Sequence, residues 1–128
     1  MSLSTADRNV GRFAAAFGAI DYDSPDYELL RSVADTLVPF GAHIGTSITE
    51  ISPDRAVVEI PNAPHVVNHM GTVHAGALFT AADIAGAAAV AGAAATGLHL
   101  IDSLVVRGAT ASYRKPASGL IRAIATVD

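Results

Sequence analysis

Between His74 and Ala95 the chain carries a single charged side chain, Asp83. Its neighbours at helical spacing are Ala81, Ala82, Gly86, Ala87 and Val90, so no polar face surrounds it. A carboxylate buried in such company must be paired, hydrogen-bonded or neutralised. Desolvation disfavours the charged form and strengthens a carboxylate as a proton acceptor, which suits a general base. The competing reading points Asp83 off an exposed side of the helix. Fifteen residues earlier, Asn68 opens the stretch Asn68-His69-Met70-Gly71-Thr72-Val73-His74-Ala75-Gly76-Ala77. Its small residues fall where a loop enters a helix. Free backbone N–H groups at such an entry can receive a developing negative charge. The Asn68 amide can orient a carbonyl or a water, or it can simply satisfy its own turn.

Other chemistries find less support. His65, His69 and His74 are spaced by four and five residues, but there is no His-Glu-x-x-His pattern. No Asp or Glu lies between Ile60 and Asp83, so no metal site is expected. The chain has no cysteine, which removes thiol nucleophiles and Cys-ligated metals. It has neither a Gly-x-Ser-x-Gly elbow nor a Walker-type phosphate loop. Eight Lys and Arg against twelve Asp and Glu leave a net charge of −4. No basic block exists, so nucleic acid is not an expected partner.

The elements that must position these residues can be read from pattern. Residues 1–41 read as a helical extension. Ser4 caps a first helix, weakened by Gly11 and Gly18. Ser24 and Pro25 start a second, which carries Leu30, Val33, Ala34 and Leu37 and stops at Pro39 and Gly41. His43–Ile51 and Ala56–Ile60 read as a hairpin about a Ser52-Pro53-Asp54-Arg55 turn. Ala56, Val58 and Ile60 share one face of it, Val57 and Glu59 the other. Residues 61–73 form a loop. A long helix runs from His74 to Ala95, an extended run from Ile101 to Arg114, and a last strand from Leu120 to Val127.

That long helix explains the composition. Ala accounts for 26 of the 128 residues, and ten of them fall between 81 and 95. Small side chains, with Gly86 and Gly92, let a curved sheet close on a helix. The same stretch is apolar enough to resemble a membrane span. Asp83 near its middle would cost about 2.5–3.5 kcal/mol in a bilayer, so a buried helix of a soluble protein is expected. Asp7, Arg8 and Arg12 interrupt any signal-peptide layout, and a cytoplasmic protein follows as the expectation.

Hairpin, Asn-containing loop, His-x-Gly helix start, helical Asp and a strand ending in Tyr113-Arg114-Lys115-Pro116 come in one order. That order resembles the hotdog-fold acyl-CoA thioesterases, and within them the phenylacetyl-CoA thioesterase type. The resemblance covers residues 42–128 and implies an α+β hotdog domain, a curved antiparallel sheet around the long helix. It implies hydrolysis of an acyl- or aryl-CoA with no cofactor and no metal. Asp83 would activate water or attack the thioester, and Asn68 would position it. A backbone N–H of Ala75 or Gly76 would polarise the carbonyl. His74, Gly71 and Phe79 would shape the substrate site, and Arg107, Arg114 and Lys115 would meet the phosphates of coenzyme A. The site would form across a homodimer, alone or paired into a dimer of dimers.

Three departures accompany the resemblance. Ala75 stands where the family has Gly after the His. A strand hydroxyl is missing, with Val105 and Val106 near its place and Ser103 and Thr110 close by. Four strands are read where five or six are expected, so a C-terminal strand would be absent from the sequence. Two further readings remain. One is a non-catalytic protein of the same fold that holds acyl-CoA or a lipid-like ligand. The other, a hydratase, calls for His five residues after the Asp, where this chain has Ala88.

Overall fold

The computed structural model describes residues 15–17 and 20–128. The expected first helix, with Ser4, Asp7, Gly11 and Gly18, lies outside them. Helix α1 spans Tyr27–Ala34 and buries Leu30 and Ala34. Its cap is Asp26 rather than Ser24. The Asp26 carboxylate accepts the N–H groups of Glu28 and Leu29, each at 3.1 Å. A charged cap satisfies the same orphan donors as a serine and also meets the positive end of the helix. Ser24 sits in the preceding turn, its N–H on Asp21.

The helix ends at Ala34, short of Leu37, and Pro39 starts a helix instead of stopping one. Helix α2 spans Pro39–Ile44, with proline's fixed φ at the first position. Gly45, at φ 90°, closes it in the left-handed region. His43 and Ile44 are therefore helical, and the first strand begins later than expected.

Strands β1 (Ser47–Ile51), β2 (Arg55–Ile60) and β3 (Ile121–Thr126) form one antiparallel sheet in that order. Ser52 makes the β1–β2 turn, its hydroxyl accepting the Asp54 and Arg55 N–H groups. Ala56, Val58 and Ile60 are wholly buried in the core, as their alternation requires. Val57 is also wholly buried, but on the outer face and outside the core cluster. Its cross-strand partners there are Glu50 and Ile124. The free edge of β1 is plugged by α1. Asp35 accepts the Ile48 N–H at 2.7 Å, and Arg31 donates to the Ile48 carbonyl at 2.9 Å. Two side chains thus stand in for a neighbouring strand.

Helix α3 (Ala75–Ala93) packs on this sheet through Ala77, Ala81, Ile84, Ala85, Ala88, Ala89 and Gly92. Gly92 is required by close approach: an added Cβ would strike the Ser52 carbonyl and come within 2.8 Å of Ile51 Cγ2. Gly86 is different, with no atom within 4 Å of an added Cβ. By length and composition α3 could cross a membrane. Here it is the core helix against which the sheet folds.

A 3₁₀ segment, Ala95–Leu100, follows α3 and buries Leu98. The run from Ile101 to Arg114, expected to be extended, is not a strand. Among the described residues no backbone hydrogen bond ties 103–116 to another element. Extended chain becomes sheet only beside an edge about 4.8 Å away. Among the described residues no such edge adjoins it. The architecture is α+β, a three-stranded sheet over one side of a long helix.

Candidate functional site

The loop before α3 is fastened at both ends. Val67 and Val73 form an isolated antiparallel bridge, and the Val73 N–H donates to the Ala117 carbonyl at 2.7 Å. Inside it Asn68 organises a tight turn. Its Oδ1 accepts the N–H of Met70 at 2.9 Å and of Thr72 at 3.1 Å, and its Nδ2 donates to the Thr72 hydroxyl at 2.8 Å. Gly71 makes the turn possible at φ 76°, a conformation that glycine adopts without a Cβ penalty. Asn68 is therefore engaged in its own loop, the second of the two readings its spacing allowed. One of its two amide hydrogens remains for a ligand.

His74 caps α3 in an unusual way. Its Nδ1 accepts the Gly76 N–H at 2.8 Å. An added Cβ at Gly76 would lie 3.0 Å from that nitrogen and press on the His74 ring. This bond separates the two backbone donors. The Gly76 amide is occupied, whereas the Ala75 amide has no acceptor among the described residues. Ala75 is exposed at the mouth of a hollow of about 380 Å³, lined also by Asn68, Met70 and Thr72.

Asp83 occupies a second concavity. The expectation that it is buried does not hold, because no charged side chain is buried among the described residues. The sheet covers only one flank of α3, and Asp83 lies on the other, exposed and without a hydrogen bond or ion pair. That flank faces an open, largely apolar groove of about 1060 Å³. Phe79, Asp83, Gly86 and Val90 line it from α3, and residues 104–106 and 109–115 line it from the segment after the helix. Groove and hollow adjoin, sharing Leu78, Tyr113, Arg114 and Lys115. Asn68 and Asp83 thus lie in neighbouring cavities of one chain rather than facing each other in one.

Thr110 and Ser112 also line the groove with Asp83, while Ser103 does not. The sequence reading set Thr110 aside and did not weigh Ser112. No local pattern marked them, because Ala109 and Ala111 line the same groove. Arg107 lines neither cavity, although Arg114 and Lys115 line both. Among the described residues Arg31, Arg55 and Arg122 are each paired with a glutamate, whereas Arg107, Arg114 and Lys115 have no ion pair. His65 and His74 are each bonded to backbone, His65 Nε2 to the Ile44 carbonyl at 2.8 Å. No group of three or more His, Asp or Glu among the described residues could hold a metal.

Residues 27–128 match a domain family of unknown function, DUF4442. The chain belongs to the DUF4442 family. The match takes in α1 and α2 as well as the sheet and α3. No curated protein matches this DUF4442 chain. Solved structures do. A Pseudomonas aeruginosa protein of unknown function, PA5026, called a probable thioesterase, is 30% identical over 79% of this chain, with a TM-score of 0.60. This chain spans 65% of the length of PA5026. A Shewanella oneidensis protein related to the thioesterase superfamily is 20% identical over 77% of this chain and 72% of its own, with a TM-score of 0.57. The E. coli PaaI protein from the phenylacetic acid degradation operon is 23% identical over 67% of this chain and 62% of its own, at 0.53. These likenesses place the DUF4442 chain in the hotdog fold, in agreement with the resemblance carried by Asn68 to Ala117.

Proposed function

We propose that this protein hydrolyses an acyl- or aryl-CoA thioester in the cytoplasm, at a site assembled from two copies of the chain. One observation carries the reading. An unpaired carboxylate, Asp83, faces an apolar groove, and the adjoining hollow presents the Ala75 amide at the start of α3, which has no acceptor among the described residues. The name of PA5026, a probable thioesterase, supports the same chemistry.

Asp83 takes a proton from water as the water oxygen bonds to the thioester carbon, or attacks that carbon itself. The carbonyl oxygen becomes negative and is received by the Ala75 N–H. The C–S bond then breaks, and the thiolate leaves and is protonated as coenzyme A; the water route gives the free acid at once, and the direct attack gives an anhydride on Asp83 that a water then cleaves to free acid and the regenerated carboxylate. Gly76 serves by its smallness, keeping His74 on its amide. Asn68 contributes its remaining N–H. Phe79 packs on the acyl or aryl group, and Arg114 meets the phosphates. Because Asn68 and Asp83 occupy separate cavities in one chain, the loop of a second copy completes the groove of the first, in a dimer or a dimer of dimers.

Release of thiol from a panel of acyl-CoA esters tests the reading. Asp83→Ala and Asn68→Ala are each expected to be inactive, and mixing the two variants is expected to restore activity through hybrid dimers. Equal activity of Asp83→Ala and the unaltered chain would remove Asp83 from the reaction. A second reading, a non-catalytic binder of acyl-CoA or a lipid-like ligand, is favoured by the engagement of Asn68 with Thr72 and by the methyl of Ala75. Saturable binding without turnover by the full chain would select it.

A further inference from the structure

We propose that Lys115 is acylated by the thioester held at this site. The inference rests on the thioester reading above and goes beyond hydrolysis to a modification of the protein itself. Lys115 is the only lysine in the chain. It is exposed, makes no ion pair or hydrogen bond, and lines both the groove of Asp83 and the hollow of Asn68 and Ala75. Its neighbour Arg114 shares both walls, but a guanidinium stays protonated and cannot act as a nucleophile. Among the groups that face both cavities, the ε-amine is therefore the one nitrogen able to attack a carbonyl.

The transfer balances without a co-reactant. The neutral amine of Lys115 bonds to the thioester carbon, the C–S bond breaks, and the thiolate leaves and takes up the proton shed by nitrogen. The products are an amide on Lys115 and free coenzyme A. Holding carbonyl and amine in one site raises their effective concentration far above that in solution.

The test incubates the full-length chain with acetyl-CoA, octanoyl-CoA and phenylacetyl-CoA and follows intact mass, peptide maps and thiol release. The expected result is one added acyl group, on Lys115, formed at least tenfold faster than on the same chain unfolded in urea. It should form faster at pH 9 than at pH 7, because only the neutral amine attacks. Lys115→Arg should lose the adduct. Asp83→Ala should keep it or increase it, since the bound thioester then survives longer. An adduct no faster than on the unfolded chain, or one placed on the N-terminal amine, overturns the proposal. Thiol release with Lys115 unmodified overturns it alone and leaves hydrolysis standing. Lys115 acylation without catalysed hydrolysis supports it and removes the thioesterase reading.

Discussion

Gly86 and Gly92 sit six residues apart in one alanine-rich helix, and in the sequence they look interchangeable. In the structure they lie on opposite flanks of α3. An atom added at Gly92 meets the carbonyl of Ser52, and one added at Gly86 meets nothing. On the Gly92 flank, small residues let the end of β1 approach the helix backbone. On the Gly86 flank, the same small residues leave an open groove lined by Asp83. One composition therefore does two jobs. Alanine and glycine give close packing where a sheet covers them and vacant space where nothing does.

The largest expected effect separates the flanks by function. Asp83→Asn should lower thioester turnover by about 10²–10⁴, the usual worth of a positioned general base. Its stability should stay within about 0.5 kcal/mol of the unaltered chain, because Asp83 is exposed and unpartnered. Turnover assays and urea melts on the same samples check both halves. A large loss of stability would mean that the groove flank is also a packing surface.

Gly92→Ala comes next. Overpacking costs about 1–3 kcal/mol, and here the obstacle is backbone rather than a flexible side chain. A lower urea midpoint with an unchanged slope is the expected signature. Gly86→Ala should do the reverse, adding about 0.5–1 kcal/mol through helix propensity alone. If it also lowers turnover, the added methyl has entered space that the ligand needs. Equal destabilisation by the two substitutions would erase the distinction between the flanks.

The sequence exposed this helix clearly but not its two flanks. Small residues on all sides of the helix signal a close neighbour without saying on which side it lies, so Asp83 read as buried. The long apolar helix, the Ser52 turn and the core face of Ala56, Val58 and Ile60 were legible because each follows from local period or turn chemistry. The cap on α1 was misplaced because Ser24 and Asp26 both suit the role, and only the fold shows which one meets the free amides. Residues 101–114 have the composition of a strand, but pairing depends on an edge elsewhere, which no local pattern encodes. At the site, His74 was visible as a helix start. Its bond to Gly76, which singles out the Ala75 amide, depends on a side-chain rotamer that spacing does not specify.

The smallest effect contrasts two exposed carboxylates. Glu50, on the outer face of the sheet, receives two hydrogen bonds from Arg55, at 2.8 and 3.1 Å. That hydrogen bonding, with the charges of Arg55 and Arg122, holds its pKa below the usual glutamate value. Lowering in the folded state means the pair stabilises the fold above the unfolded carboxylate range. The contribution is lost as pH falls through the lowered folded value. Because the pair is exposed, the gain is small and is screened by salt. An NMR titration should find Glu50 ionised at a pH where free glutamate is half protonated, and Arg55→Gln should remove most of the difference, leaving the part due to Arg122. Asp83 has no such paired cation, and Arg55→Gln should leave the rate of turnover untouched. A change in rate would mean that the outer face of the sheet is electrostatically coupled to the groove on the far side of α3.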